Sequence, residues 1–275
     1  MGVVSARPPI EERLPRPSVM GVVNVTPDSF SGDGLYLHTA AAVVEARGML
    51  DCGAAIVDVG GESTRPGSEG VSVEEELRRV VPVLEGLRGL PVSIDTAKAE
   101  VARVAVAELG AVLVNDVTAL RGDSGMSEVV AESGAFLCLM HMQGAPRTMQ
   151  LDPRYGDVVA EVAAFLEERL AFAVAAGIPE ERICLDPGIG FGKTVEHNLE
   201  LLRRMDELAA LGRPVLVGIS RKSTLGRLLG DSEARTGTTA ASVAAAVLAF
   251  ERGASILRVH DVREHVEALT VAAAL

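Results

Sequence analysis

Short apolar runs rich in β-branched residues alternate along the chain with longer stretches whose apolar positions recur every three to four residues. The runs predict strands at 19–23, 55–59, 92–94, 112–114, 136–140, 183–185, 215–218 and 256–259. Amphipathic patterns between them predict helices at 39–52, 73–87, 97–109, 126–132, 158–176, 195–211, 235–252 and 262–273. Gly53, Gly110, Gly134, Gly177, Gly212 and Gly253 each stand just ahead of the next strand, where a glycine commonly ends a helix. Strict alternation of strand and helix implies parallel strands joined by crossover helices. Eight such units in 275 residues fit an α/β fold consisting of a single (β/α)8 TIM barrel. An open doubly wound sheet is the structural alternative. Residues 18–275 then form one domain, and the polar, proline-rich residues 1–17 form a flexible N-terminal arm without the apolar centre of a signal peptide.

Polar residues cluster directly after these strands. Asn24, Gly60-Gly61-Glu62, Asp95, Asn115-Asp116, His141, Asp186, Ser220-Arg221-Lys222 and His260-Asp261 all occupy such positions. In a barrel they share the C-terminal rim, the face on which barrel enzymes carry their active sites. One polar residue after a strand is ordinarily a turn former or helix cap, and Asp116 and Asp261 keep that reading. Eight successive polar tips are better explained by one shared pocket. The richest tip is ICLDPGIGFGK at 183–193, an apolar run ending in Asp186 and followed by a proline and three glycines. Pro187 ends the strand, and the glycines let a ligand approach the main chain. GIGFGKT at 188–194 resembles a nucleotide P-loop, but Pro187 stands where that motif needs its first glycine.

Two rim loops exceed what barrel closure requires: NVTPDSFSGDG at 24–34 and GGESTRPGSEG at 60–70. Glycines, hydroxyls and charges mixed in this way suit mobile lids over a site.

Composition narrows the function. A net charge of −12 argues against a nucleic-acid footprint, and the longest weakly polar stretch, 236–250, is too short and too polar to span a bilayer. Three cysteines without metal-like spacing read as reduced core thiols of a cytoplasmic protein. Against the acidic background, the placement of the basic residues is informative. Two of the three lysines, Lys193 and Lys222, fall in rim loops, together with Arg65, Arg221, Arg258 and His260. Such a cluster suits an anion, although Arg221 or Arg258 could instead pair with rim carboxylates such as Glu62. Ser223 and Thr224 open a short helix whose free N–H groups could also take an anion. Asp95, Asn115 and Asp186 together match the edge of an amino-oxo pyrimidine ring, with Met140 as a soft apolar face.

Motifs spanning nearly the whole chain carry a family resemblance. MGVVNVTPDSFSGDG (20–34), GGESTRPG (60–67), SIDT (93–96), NDV (115–117), HMQGAP (141–146), LDPGIGFGKT (185–194), SRKS (220–223) and RVHDV (258–262) closely resemble the dihydropteroate synthases. The resemblance implies a folate-biosynthesis barrel enzyme. Its reaction joins 6-hydroxymethyl-7,8-dihydropterin diphosphate to p-aminobenzoate and releases pyrophosphate with Mg²⁺ present. It also implies that Asp95, Asn115, Asp186 and Lys222 hold the pterin, with Met140 beside them. Asn24, Arg65, Arg258 and His260 serve the diphosphate, Asn24 also through the metal. Phe30, Thr64, Pro66, Phe191 and Ser223 line the p-aminobenzoate slot. Asp95, Asp186, Lys222, Arg65 and Asp28 are the expected catalytic set, and a homodimer is the expected assembly. One departure is local: the family's D-S-F-S-D-G reads here with Gly32 between Ser31 and Asp33, which moves that carboxylate by one residue and shifts weight to Asp28. A corrinoid methyltransferase using a related pterin would have no diphosphate to neutralise, which the basic cluster speaks against. A catalytically silent pterin-binding paralogue is the reading from another class.

Overall fold

The computed structural model describes residues 8–25, 35–63, 68, 70–145 and 147–275, with side chains described from residue 39 onward in the second segment. Among the described residues eight parallel strands form one sheet: β1 (Ser18–Asn24), β2 (Ile56–Gly60), β3 (Val92–Asp95), β4 (Leu113–Asp116), β5 (Phe136–Met140), β6 (Ile183–Asp186), β7 (Leu216–Val217) and β8 (Ile256–Val259). The strand order is β6-β5-β4-β3-β2-β1-β8-β7, and a parallel bridge between Leu185 and Val215 joins the two ends. The sheet is therefore a barrel, as the alternation predicts, and not an open doubly wound sheet.

Alternate side chains of each strand face opposite ways, so one set fills the barrel and the other meets the helices. The outward set, including Val57, Val59, Ile94, Val114, Leu137, Leu139, Leu185, Val217 and Val259, belongs to the main apolar core. The inward set changes along the barrel axis. At the N-terminal end Met20, Ile56, Leu113, Phe136, Leu216 and Ile256 form a separate apolar cluster. Moving toward the C-terminal end, the inward positions become Asp58, Ser93, Asp95, Asn115, Asp186 and Arg258. The barrel is apolar at its floor and polar at its mouth.

Residues 8–17 depart from the loose arm expected over 1–17. A short helix at Ile10–Arg13 places Ile10 and, just after it, Leu14 in the floor cluster with almost no exposure. Arg16 donates to the carbonyl of Ala254, and the Ser18 hydroxyl donates to the carbonyl of Pro15. Two apolar residues in a polar stretch carry no periodicity, yet they are enough to cap a barrel end.

The helices follow the predicted pattern with four adjustments, the first being that the helix expected at 39–52 already begins at Leu35. The expected helix at 97–109 begins at Ala99 and passes into a π-helical turn at Val104–Glu108. The expected helix at 195–211 divides at Arg204 into Val195–Arg203 and Met205–Ala209. The Ala-rich helix starts at Thr239 and not at 235. The glycines expected to end helices do so with positive φ, as at Gly134 (61°) and Gly253 (116°). No helix among the described residues is long and apolar enough to cross a membrane.

Candidate active site

Parallel register sets the depth of every residue at the mouth. Gly60 on β2 pairs with Asp95 on β3, Asp95 with Asn115 on β4, and Met140 on β5 with Asp186 on β6. A small pocket opens there, lined by Asp95, Asn115, Met140, Asp186, Lys222 and Arg258, with Val117, Ile189, Phe191 and Gly218 completing the wall. Every residue expected around the pterin is in it: carboxylates far apart in sequence meet in one mouth.

An ion network lies directly beneath. Asp58, fully buried on β2, accepts from Arg258 Nε at 2.7 Å and from Asn115 Nδ2 at 2.9 Å, both on the same oxygen, Oδ2. Arg258 Nη2 donates to Asp95 Oδ2 at 2.9 Å. Arg258, expected to face a diphosphate, thus has two donors committed between two carboxylates. Sequence reading missed Asp58. Its signal was an acid in the middle of an otherwise apolar strand, IVDVG, at the inward alternate position.

Electrostatics at the mouth follow from burial. Desolvation pushes the Asp95 carboxyl up to about 7, opposed by Arg258 and reinforced by Asp58. Burial likewise raises Asp186, opposed by the Gly188 N–H, which donates to Oδ1 at 2.7 Å, and by Lys222 and Arg258. Lys222 Nζ sits 4.3 Å from the centroid of the Phe191 ring, a cation–π contact on the pocket wall.

The loop after β6 is fixed from below. Lys193, expected in the positive rim, is instead buried, with Nζ donating to Gly188 O (2.9 Å), Phe191 O (3.1 Å) and His141 Nδ1 (2.9 Å). When Lys193 is an ammonium it only donates, and His141 then accepts through Nδ1 and carries its hydrogen on Nε2. Burial first, then Lys193 and Arg121, lowers His141 to about 3, and burial lowers Lys193 to about 7. Both residues are parts of a loop clamp. Gly188 at φ 65° comes so close to His141 that an added Cβ would lie 1.9 Å from its carbonyl oxygen. Asn198, buried, accepts from Gly190 N at 2.8 Å and donates to Thr224 Oγ1 at 2.9 Å, tying the β6 loop to the short helix Ser223–Leu228. Neither this bridge nor the clamp was legible in the sequence.

The other rim tips fall into two groups. Asn24 ends β1, and His260 follows β8, the neighbouring strand, but neither lines the pocket. His260 contacts Ser220 Oγ at 3.2 Å, and burial together with Arg258 lowers it to about 4. Ser223 is the first residue of its helix, behind Lys222. Asp116 is the turn former anticipated, accepting from Thr118 N and Leu120 N. Arg221 pairs with Asp261, whereas Glu62 pairs with Lys98 and, among the described residues, with no arginine. Asp28, Phe30, Asp33, Thr64, Arg65 and Pro66 lie outside the described residues.

A model of the pterin binding enzyme family matches residues 20–260. The dihydropteroate synthase of Escherichia coli K12 is 50% identical over 94% of this chain and 91% of its own. The chain belongs to the dihydropteroate synthases of that family. Solved relatives agree in fold. A Xanthomonas albilineans dihydropteroate synthase with 4-aminobenzoic acid superposes with a TM-score of 0.87 at 51% identity, covering 95% of this chain and 93% of that one. The Thermus thermophilus enzyme in complex with 4-aminobenzoate gives 0.82 at 50% identity, covering 95% of each.

Proposed function

We propose that this chain condenses 6-hydroxymethyl-7,8-dihydropterin diphosphate with p-aminobenzoate to give 7,8-dihydropteroate and pyrophosphate. The observation that carries this reading is the convergence of Asp95, Asn115, Met140, Asp186 and Lys222 in one pocket at the barrel mouth. Membership of the dihydropteroate synthases supports it.

The chemistry follows from the charges. Asp95 and Asp186 accept hydrogen bonds when ionised, which matches a ring edge bearing N–H donors. As the C–O bond to the diphosphate breaks, the pterin methylene becomes electron-poor, and the same two carboxylates stabilise it. An arylamine is a neutral nucleophile, so the site needs no strong general base. The substitution is therefore dissociative and SN1-like. Phe191 and Ser223 border the p-aminobenzoate side, a role that the family resemblance also gives to Phe30, Thr64 and Pro66. Arg65, His260 and the remaining donors of Arg258 face the diphosphate, and Asp28 acts in the first lid.

Mg²⁺ fits this scheme. Among the described residues no group of three or more His, Cys, Asp or Glu side chains could hold a metal, and Asn24 offers a single neutral oxygen at the β1 tip. That suits an ion that keeps most of its ligands as water and phosphate oxygens. Asn24 would hold it, and when bound it would supply Lewis-acid charge at the leaving diphosphate.

The assembly we infer is a homodimer. Helices Thr239–Glu251 and Val262–Ala274 share an apolar face of Ala240, Val243, Ala244, Ala268 and Val271, rimmed by Glu264 and Glu267. Three free cysteines accord with a cytoplasmic setting. Pyrophosphate release with both substrates and Mg²⁺ tests the function: release that depends on each component is expected. Ring binding without release would overturn catalysis in favour of a silent paralogue.

A further inference from the structure

The buried carboxylate beneath the pocket has no part in the proposed chemistry, yet two pocket residues lean on it. Asp58 sits one alternate position below Gly60, fully buried, and its Oδ2 takes both the Arg258 Nε–H and the Asn115 Nδ2–H. A carboxylate that faces an arginine can only accept, so the amide of Asn115 must turn its nitrogen toward Asp58. Its other end, Oδ1, is buried in the pocket wall and has no partner among the described residues. An amide left to itself can present either a donor or an acceptor. Here the choice is made from below.

We propose that Asp58 is a specificity-determining positioning residue: it locks Asn115 as a hydrogen-bond acceptor, so that with Asp95 and Asp186 the pocket presents acceptors from three strands and selects a heterocycle rich in N–H donors. This rests on the pterin reading above. An acceptor set of this kind discriminates by penalty. A ring carrying a lone pair where an N–H should be leaves two acceptors facing each other, and buried acceptors left unpaired cost more than a good contact gains. Arg258 completes the arrangement, holding Asp58 and Asp95 at fixed separation through one guanidinium.

The substitution Asp58→Asn tests this, because an amide at position 58 can donate as well as accept and so frees Asn115 to rotate. Binding of the 7,8-dihydropterin ring would be measured by calorimetry against two analogues. One is the 2,4-dioxo ring, in which the amino donor becomes an acceptor. The other is the oxidised ring, which lacks the N8 hydrogen. Wild type is expected to prefer the dihydropterin over both. In Asp58→Asn at least one of the two preferences should fall by roughly tenfold, chiefly because the analogue binds better. Preferences unchanged in a folded variant would overturn the proposal, as would an equal loss of affinity for all three rings, which marks Asp58 as merely structural. Wild type that binds none of the rings would instead overturn the pterin reading itself. Should Asp58→Asn not fold, Asp58→Asn with Arg258→Met removes the stranded cation together with its partner. The same comparison of rings then decides.

Discussion

Asp95 connects the pocket to pH. Its native carboxyl is raised from an ordinary 3.8 to about 7, because burial outweighs the attraction of Arg258. The native state then holds the proton more tightly than the unfolded chain does. The residue's contribution to stability is therefore fully present below about 4 and is lost as pH rises through about 7. Ligand binding runs the opposite way, since the ionised carboxylate accepts from a ring N–H more strongly than the protonated one, which also turns an O–H toward the ring. Affinity for the dihydropterin ring should rise with pH through neutrality, and Asp95→Asn should flatten that rise; titration calorimetry across the range measures both. Asp95→Asn and Asp186→Asn should each lower turnover by roughly a hundredfold in the pyrophosphate assay. Near wild-type turnover in both would remove the cation-stabilising role. At this scale the sequence was most informative where a residue stood at a strand tip, as Asp95, Asn115 and Asp186 do. It was silent for Asp58 and put Lys193 in the positive rim, because their partners lie up to 200 residues away and are recognisable only once the strands are in register.

Among the elements, the loop after β6 does most to shape the pocket. Its path is dictated by the close approach of Gly188 to the His141 carbonyl, by the buried Lys193 amine and by Asn198. Gly188→Ala should destabilise the fold by roughly 2–3 kcal/mol, since the left-handed φ and the steric clash add, and thermal unfolding would register it. Asn198→Ala strands Gly190 N–H and Thr224 and should cost about 1–3 kcal/mol while raising the KM for p-aminobenzoate more than it lowers kcat. An unchanged KM would mean that the bridge supports the fold alone. The strands themselves were legible to within about two residues because apolar runs bounded by glycine and proline admit few alternatives. The break at Arg204 and the π-helical turn were not, because neither interrupts the amphipathic period from which those helices were inferred.

For the molecule as a whole, the barrel's two ends are treated differently. The floor is sealed by Ile10 and Leu14, and Ile10→Ala should cost about 2–4 kcal/mol in denaturant unfolding, the usual range for a truncated core residue. The segment was misread because a plug needs two apolar residues at the right spacing and no regular pattern around them. On the flank, Val243→Arg should convert the proposed dimer to a monomer in sedimentation with the fold intact. The parallel barrel was inferable from strand order alone. The inward gradient from apolar floor to polar mouth required knowing which alternate set points in.

The seam between β6 and β7 has a consequence of its own. β7 is two residues long, and the two strands meet through a single bridge, Leu185 with Val215, where the Leu185 N–H reaches the carbonyl of Pro214. One bridge stands here where every other pair of neighbouring strands shares two to five paired positions, so the cylinder is stitched most thinly there. Asp186 and Lys222 stand on opposite lips of that gap. A bicyclic guest touching both would act as a staple across it, and deuterium uptake at the Leu185 amide should slow when the pocket fills. The chain would then gain rigidity from its substrate at the place where its own backbone supplies least.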